Sequence, residues 1–313
     1  MVRVFVRRTN ASMSKSGPSR MATTQDNFRK EIERRFKALR DALSLLIEER
    51  NELDLPANQI DESGPNGPRD IVQQSPADIV DDFEFSTRAG REASFQTWWE
   101  DAVESSLIEP IDRDAILNGE HYSAAHLDNG YKKGIKWADP RLKEFGVDID
   151  DVDVATTFEL PIHQDTARTL YTRTYGQLES VAEHTEQEVA RILTDEVAAG
   201  EGPRSIARTL TNEVQSIQRT RGRMVARTEV MNAHAYATGN RYQEYGVEWA
   251  NIITFEPCSQ CVEFRDGGPY PVREVQSALP IHPNCVCAMV PASPPNEGGE
   301  SVDFGRGTTG PDN

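Results

Sequence analysis

Ile32, Phe36, Leu39, Leu43 and Leu46 recur at intervals of four, three, four and three residues, with charged side chains between them. That spacing puts one apolar seam along a helix, and it predicts an amphipathic docking helix over 25–53. The seam suits a partner helix, a second copy of the chain, or the chain's own domain. Residues 1–24 are rich in Arg, Ser and Thr without apolar periodicity and predict a disordered arm, within which Met13 and Met21 are alternative starts. "LPANQIDESGPNGPRD" at 55–70 is dense in Pro, Gly, Asn and Asp, which predicts a linker over 54–76. "ASFQTWWEDAVESSL" and "NGEHYSAAHLDNGYKKGIKWA" predict helices in a helical region over 77–160. His121 and His126 stand five apart, off the four-residue spacing that places two ligands on one helical face, and are read as surface or packing residues.

The strongest helical pattern follows. Leu170, Tyr171, Tyr175, Leu178, Val181, Val189, Ile192 and Val197 form a stripe that Gly200 to Pro203 stop. Pro203 sits in the first turn of a second helix, and a third runs to Gly246, a natural terminator. Three helices in series with short breaks predict a bundle over 161–246. "VEWANIITFEP" then turns apolar and β-branched, a strand leading into the first cysteine. Residues 293–313, rich in Gly and Pro, predict a disordered tail.

Charge sharpens the division. Residues 1–50 hold 12 Lys and Arg against 6 Asp and Glu, while the remaining 263 hold 22 against 45. A basic arm thus precedes an acidic body, and the chain carries a formal charge of −17. Only 7 of its 34 basic residues are lysine, none after Lys143. An acidic surface favouring arginine suits solubility in high salt, although a GC-rich genome gives the same arginine bias. The acidic body excludes broad contact with nucleic acid, which needs basic surface, and leaves the arm as the candidate for such contact. No apolar run approaches the ~18 residues of a membrane span. The N-terminus lacks a signal peptide's apolar stretch, which predicts intracellular, cytoplasmic synthesis and no membrane partner.

All four cysteines fall between positions 258 and 287. Cys258 and Cys261 make C-x-x-C; His282, Cys285 and Cys287 make H-x-x-C-x-C after 20 intervening residues. Zinc takes four tetrahedral N or S ligands, and this window offers five, so Cys258, Cys261 and Cys285 are assigned with either His282 or Cys287. In a strand, Cys285 and Cys287 would point to opposite faces; either a turn bends them together, or His282 ligates and one cysteine packs. Two disulfides and a redox C-x-x-C are the competing readings. Four protein ligands leave no open position for water, so the implied Zn2+ is structural and locks a loop-rich, poorly cored segment over 247–292. The fold class expected is mainly α, a helical body with a small β-containing, zinc-stapled C-terminal module.

"ARTEVMNAHAYATGNRYQEYGV", then "CSQC", then "LPIHPNCVCAMVP" together resemble the minor head proteins of tailed phages related to phage Mu protein F, the head morphogenesis family. The resemblance spans roughly residues 160–292, and Val286 stands where that family usually has Arg. It implies a low-copy virion component at the portal vertex, needed for head assembly or for genome packaging and delivery. Its implied partners are the portal protein and a major capsid or scaffolding protein, and with the composition it implies a virus or provirus of a halophilic archaeon. Arg227, Thr228 and Glu229 belong to the motif. Arg227 and Glu229 point about 200° apart on a helix, so the two do not face one site. One reading has Arg227 or Glu229 hydrogen-bonding backbone of the zinc module. The other makes Glu229 a general base beside a metal-bound water, in a nuclease or protease of packaging or maturation. An internal DNA-binding head protein is the third alternative. The chain contains no Walker A loop, G-x-S-x-G or H-E-x-x-H, and no enzymatic activity is assigned.

Overall fold

The computed structural model describes residues 17–50, 91–150 and 153–295. It is mainly helical, with one small sheet. Helix α1 (Ala22–Ser44) ends in a π turn, Leu45–Glu49; α2 (Arg91–Val103) ends in another, Glu104–Ile108. Then come α3 (Arg113–Leu117), α4 (Ala124–Glu144), α5 (Val154–Phe158) and α6 (Pro161–Ala198). Helix α7 (Pro203–Ile217) passes through a π turn, Gln218–Gly222, into α8 (Arg223–Glu244). Strand β1 (Trp249–Ile253), α9 (Ser259–Gly267), β2 (Tyr270–Pro271), α10 (Val272–Ala278) and β3 (Ala288–Ala292) complete the fold. No described helix is long and apolar enough to cross a membrane. The expected linker, most of the basic arm and the tail from 296 lie outside the described residues. The arm ends earlier than its composition suggested: residues 17–20 form a turn, and Ser19, Met21 and Thr24 are buried.

The chain divides into two compact units, one of 1–25, 125–170 and 228–313, the other of 26–124 and 171–227.

In the second unit the seam of α1 is spent internally. Ile32, Phe36, Leu39, Leu43 and Leu46 are each no more than 1% exposed, which corrects the docking role: the seam packs on the chain's own domain. Gly222 permits the approach, since a Cβ there would stand 2.9 Å from Ile32 Cγ2. Arg35 is buried with its charge answered. Its guanidinium donates to the Ser106 carbonyl at 3.0 Å and to Glu109 at 2.6 Å, and lies over the Tyr122 ring. His121 is a packing residue, its ring nitrogens 2.7 Å from Ser123 Oγ and 2.7 Å from the Ile108 carbonyl. The stripe of α6 is buried as far as Ile192, but Val197, in the last turn, is exposed.

In the first unit two helices end by the same device. Gly146 and Gly246 have φ of +91° and +72°, a backbone region open to glycine. Val147 and Val247 donate back to Leu142 and Tyr242, while the glycine N–H groups reach Lys143 and Gln243, the paired bonds of a Schellman motif. Leu142, Tyr242 and Val247 join one core, with Val147 packed against it. The sheet has order β2-β1-β3 and both pairings are antiparallel, with Trp249 opposite Pro271 and Ala292, and Ile253 opposite Ala288.

Candidate metal centre

The cysteines enter the fold through two short turns. Strand β1 delivers the chain to Cys258, which is the N-cap of α9, with Cys261 in the first turn. Backbone N–H groups at that helix end point at sulfur: those of Cys261 and then Gln260 hold the Cys258 thiol below its usual range. Cys285 ends a turn in which its N–H donates to the His282 carbonyl at 3.0 Å, and Cys287 follows two residues on. Asn284 takes a left-handed φ of +69° there, a conformation Asn tolerates better than most residues. Strand β3 begins only at Ala288. Cys285 and Cys287 thus both lie before the strand, so strand alternation does not set them on opposite faces.

Two groups of donors come close enough to hold a metal ion: Cys258, Cys261 and His282, and Cys261, Cys285 and Cys287, each with its atoms within 4.8 Å of one another. Cys261 is common to both. The Cys258 and Cys261 sulfurs stand 3.7 Å apart, close to the ~3.8 Å edge of a tetrahedron with metal–sulfur bonds of about 2.3 Å. His282 Nδ1 lies 2.8 Å from the Pro283 carbonyl. That oxygen only accepts, so Nδ1 carries the proton and Nε2 presents its lone pair, 3.1 Å from Cys261 Sγ. Burial pushes the Cys261 thiol up to about 11. The Cys285 thiol is held down to about 5 by a hydrogen bond from Cys287, whose own proton is correspondingly hard to remove. A metal ion would replace these shared protons, and the donor set of sulfur with one imidazole fits a borderline-soft cation. All four cysteines are free thiols. The C-x-x-C does follow a strand and open a helix, but the sheet is wholly antiparallel, without the βαβ setting of a redox motif.

The module is not poorly cored. Val272, Val275, Leu279 and Met289 are buried together with Cys261, Cys285 and Cys287, and the same core takes in Ala138 and Leu142 of α4 and Ala235 and Tyr242 of α8.

Glu229 does not join either donor group. It is buried and accepts from Asn232 Nδ2 at 3.1 Å. Six residues separate it from Ala235, about 9 Å along a helix. Sequence reasoning missed the polar groups farther along α8. Asn240 donates to Tyr131 Oη at 2.8 Å and to Thr166 Oγ1 at 2.7 Å, and accepts from Gln276 at 2.8 Å. Tyr131 in turn meets His163 Nδ1 at 2.9 Å. Arg241, 1% exposed, pairs with Asp139 at 2.7 Å and Glu244 at 2.9 Å. Gly239 makes room for Gln276, whose side chain lies where a Cβ would go. The local signal, Ala and Gly interleaved with these polar residues, marks close packing but names no partner.

Compared with family models, curated proteins and solved structures, the chain gives no match.

Proposed function

We propose that the chain is a minor head protein of a tailed virus of a halophilic archaeon, a low-copy component at the portal vertex. Its C-terminal module is stapled by a structural Zn2+ held by four of Cys258, Cys261, His282, Cys285 and Cys287. One observation carries the reading. While Ala226 and Arg227 of the motif belong to the other unit, the segments from Thr228 onward on which the resemblance to the Mu F-like proteins rests fall in one unit, with α8, Cys261, Cys285 and Cys287 sharing a core. They form a connected module rather than scattered coincidences. Four protein donors leave the ion no open position, which supports a staple over a metal-dependent hydrolase. The portal protein is the expected partner, with a major capsid or scaffolding protein beside it and the basic arm as the candidate for genome contact.

The test is to count this chain in purified virions by quantitative mass spectrometry, with portal and major capsid proteins as internal standards. A few copies per particle, at or below the portal, is the expected result. Complete absence from mature virions would overturn the vertex assignment. A Glu229→Gln variant that is incorporated normally but yields non-infectious particles would favour the hydrolase.

A further inference from the structure

Resting on the zinc reading above, we infer that the ion is held by two matching chelate turns, Cys258 with Cys261 and His282 with Cys285, and that Cys287 is a positioning thiol outside the ligand set. Both turns place their donors three residues apart and both are closed by a backbone hydrogen bond. The Val262 N–H reaches the Cys258 carbonyl at 3.1 Å, and the Cys285 N–H reaches the His282 carbonyl at 3.0 Å. In each turn the first donor is the more exposed and the second is buried. An ion between the turns therefore meets one outer and one inner donor from each side. His282 is already oriented as a ligand, with its Nδ1 proton occupied by the Pro283 carbonyl and its Nε2 beside Cys261 Sγ.

Cys287 belongs to neither turn. It is buried immediately before β3, beside Met289, whose carbonyl accepts from Trp137 Nε1 at 2.8 Å. Its sulfur lies within 4.8 Å of those of Cys285 and Cys261. A donor to a ligand sulfur orients that sulfur and moderates its charge, the part that outer partners play around a metal. Cys287 thus fixes the position of Cys285 without entering the coordination sphere.

The experiment uses the full chain with 113Cd2+ in place of Zn2+. Scalar coupling from cadmium is expected to the His282 ring protons and to the β-protons of Cys258, Cys261 and Cys285, with none to Cys287. Coupling to Cys287 with none to His282 would overturn the inference and leave the zinc reading standing. A chain that retains no metal by elemental analysis would overturn both. Co2+ spectra give an independent readout. Cys287→Ser should leave the thiolate-to-cobalt absorption at wild-type intensity, whereas Cys285→Ser should lower it by about a third, one thiolate of three being lost. An equal loss in Cys287→Ser would refute its place outside the ligand set.

Discussion

Replacing Gly134 by alanine adds one methyl group at the tightest helix crossing in the first unit. A Cβ there would lie 2.5 Å from the His234 carbonyl oxygen and 2.7 Å from Ala237 Cβ. Both obstacles belong to α8 and neither is the end of a flexible side chain. Relief requires α4 and α8 to separate by most of an ångström, and both helices contribute to the core that holds the cysteines. Overpacking of this kind costs about 1–3 kcal/mol, and a backbone obstacle puts Gly134 at the upper end. Alanine's helix propensity offsets about 1 kcal/mol, so a net loss of about 2 kcal/mol is expected. Gly176 provides the control. It is exposed in the middle of α6, and the nearest atom to a methyl added there would be Glu179 Oε2 at 3.9 Å. Gly176→Ala should therefore stabilise by up to about 1 kcal/mol. Urea unfolding gives the sign, and native-state hydrogen exchange localises it. Gly134→Ala should speed exchange in α4 and α8, and Gly176→Ala should slow it in α6. If both substitutions stabilise, the close crossing at Gly134 is wrong.

Acid should weaken the fold. Burial depresses the His163 and His234 imidazoles, His234 to about 3. Below the unfolded value near 6.5 the unfolded chain takes up protons that the folded chain refuses. Stability is therefore level above about pH 6.5 and falls below it, by up to about 1.4 kcal/mol per pH unit for His234, with His163 acting in the same direction. Urea midpoints measured between pH 7.5 and 5 should show this slope, and a flat profile would contradict the burial of these rings. Chelation should act locally: amides of Val262 and Cys285 should lose protection from hydrogen exchange while those of the β1–β3 pair keep theirs. Simultaneous loss in the sheet would mean that the apolar core does not support the module without metal. Asn284→Val leaves every donor in place but puts a β-branched residue at φ +69°. That strain is about 1–2 kcal/mol, so Zn2+ affinity by competition titration should fall about tenfold, and Asn284→Gly should retain it. With a net charge of −17, the urea midpoint should rise steadily with KCl as repulsion is screened; independence from salt would assign the arginine bias to base composition instead.

What could be read beforehand was what depends on near neighbours in the chain. The α1 seam, the Gly200–Pro203 break and the Gly246 terminator all express a period or a single residue's backbone freedom, and each lies where its local pattern put it. The two donor pairs belong to the same class, since a three-residue spacing closes a turn without help from elsewhere. Partners were not readable in this way. An apolar face calls for a cover but does not name one, so α1 carried the same seam whether it met its own domain or another chain. The C-x-C pair shows the limit at close range: alternation along a strand would have set Cys285 and Cys287 apart, but the strand begins only at Ala288 and their sulfurs lie within 4.8 Å of each other. The polar interior of α8 lay beyond local reasoning because Gly239 and Gln276 become neighbours only through α10. The same long-range packing bears on the metal. Since α4 and α8 already supply a core to the module, an ion there has only the two turns to hold, and its worth lies in fixing their shape rather than in making the sheet fold.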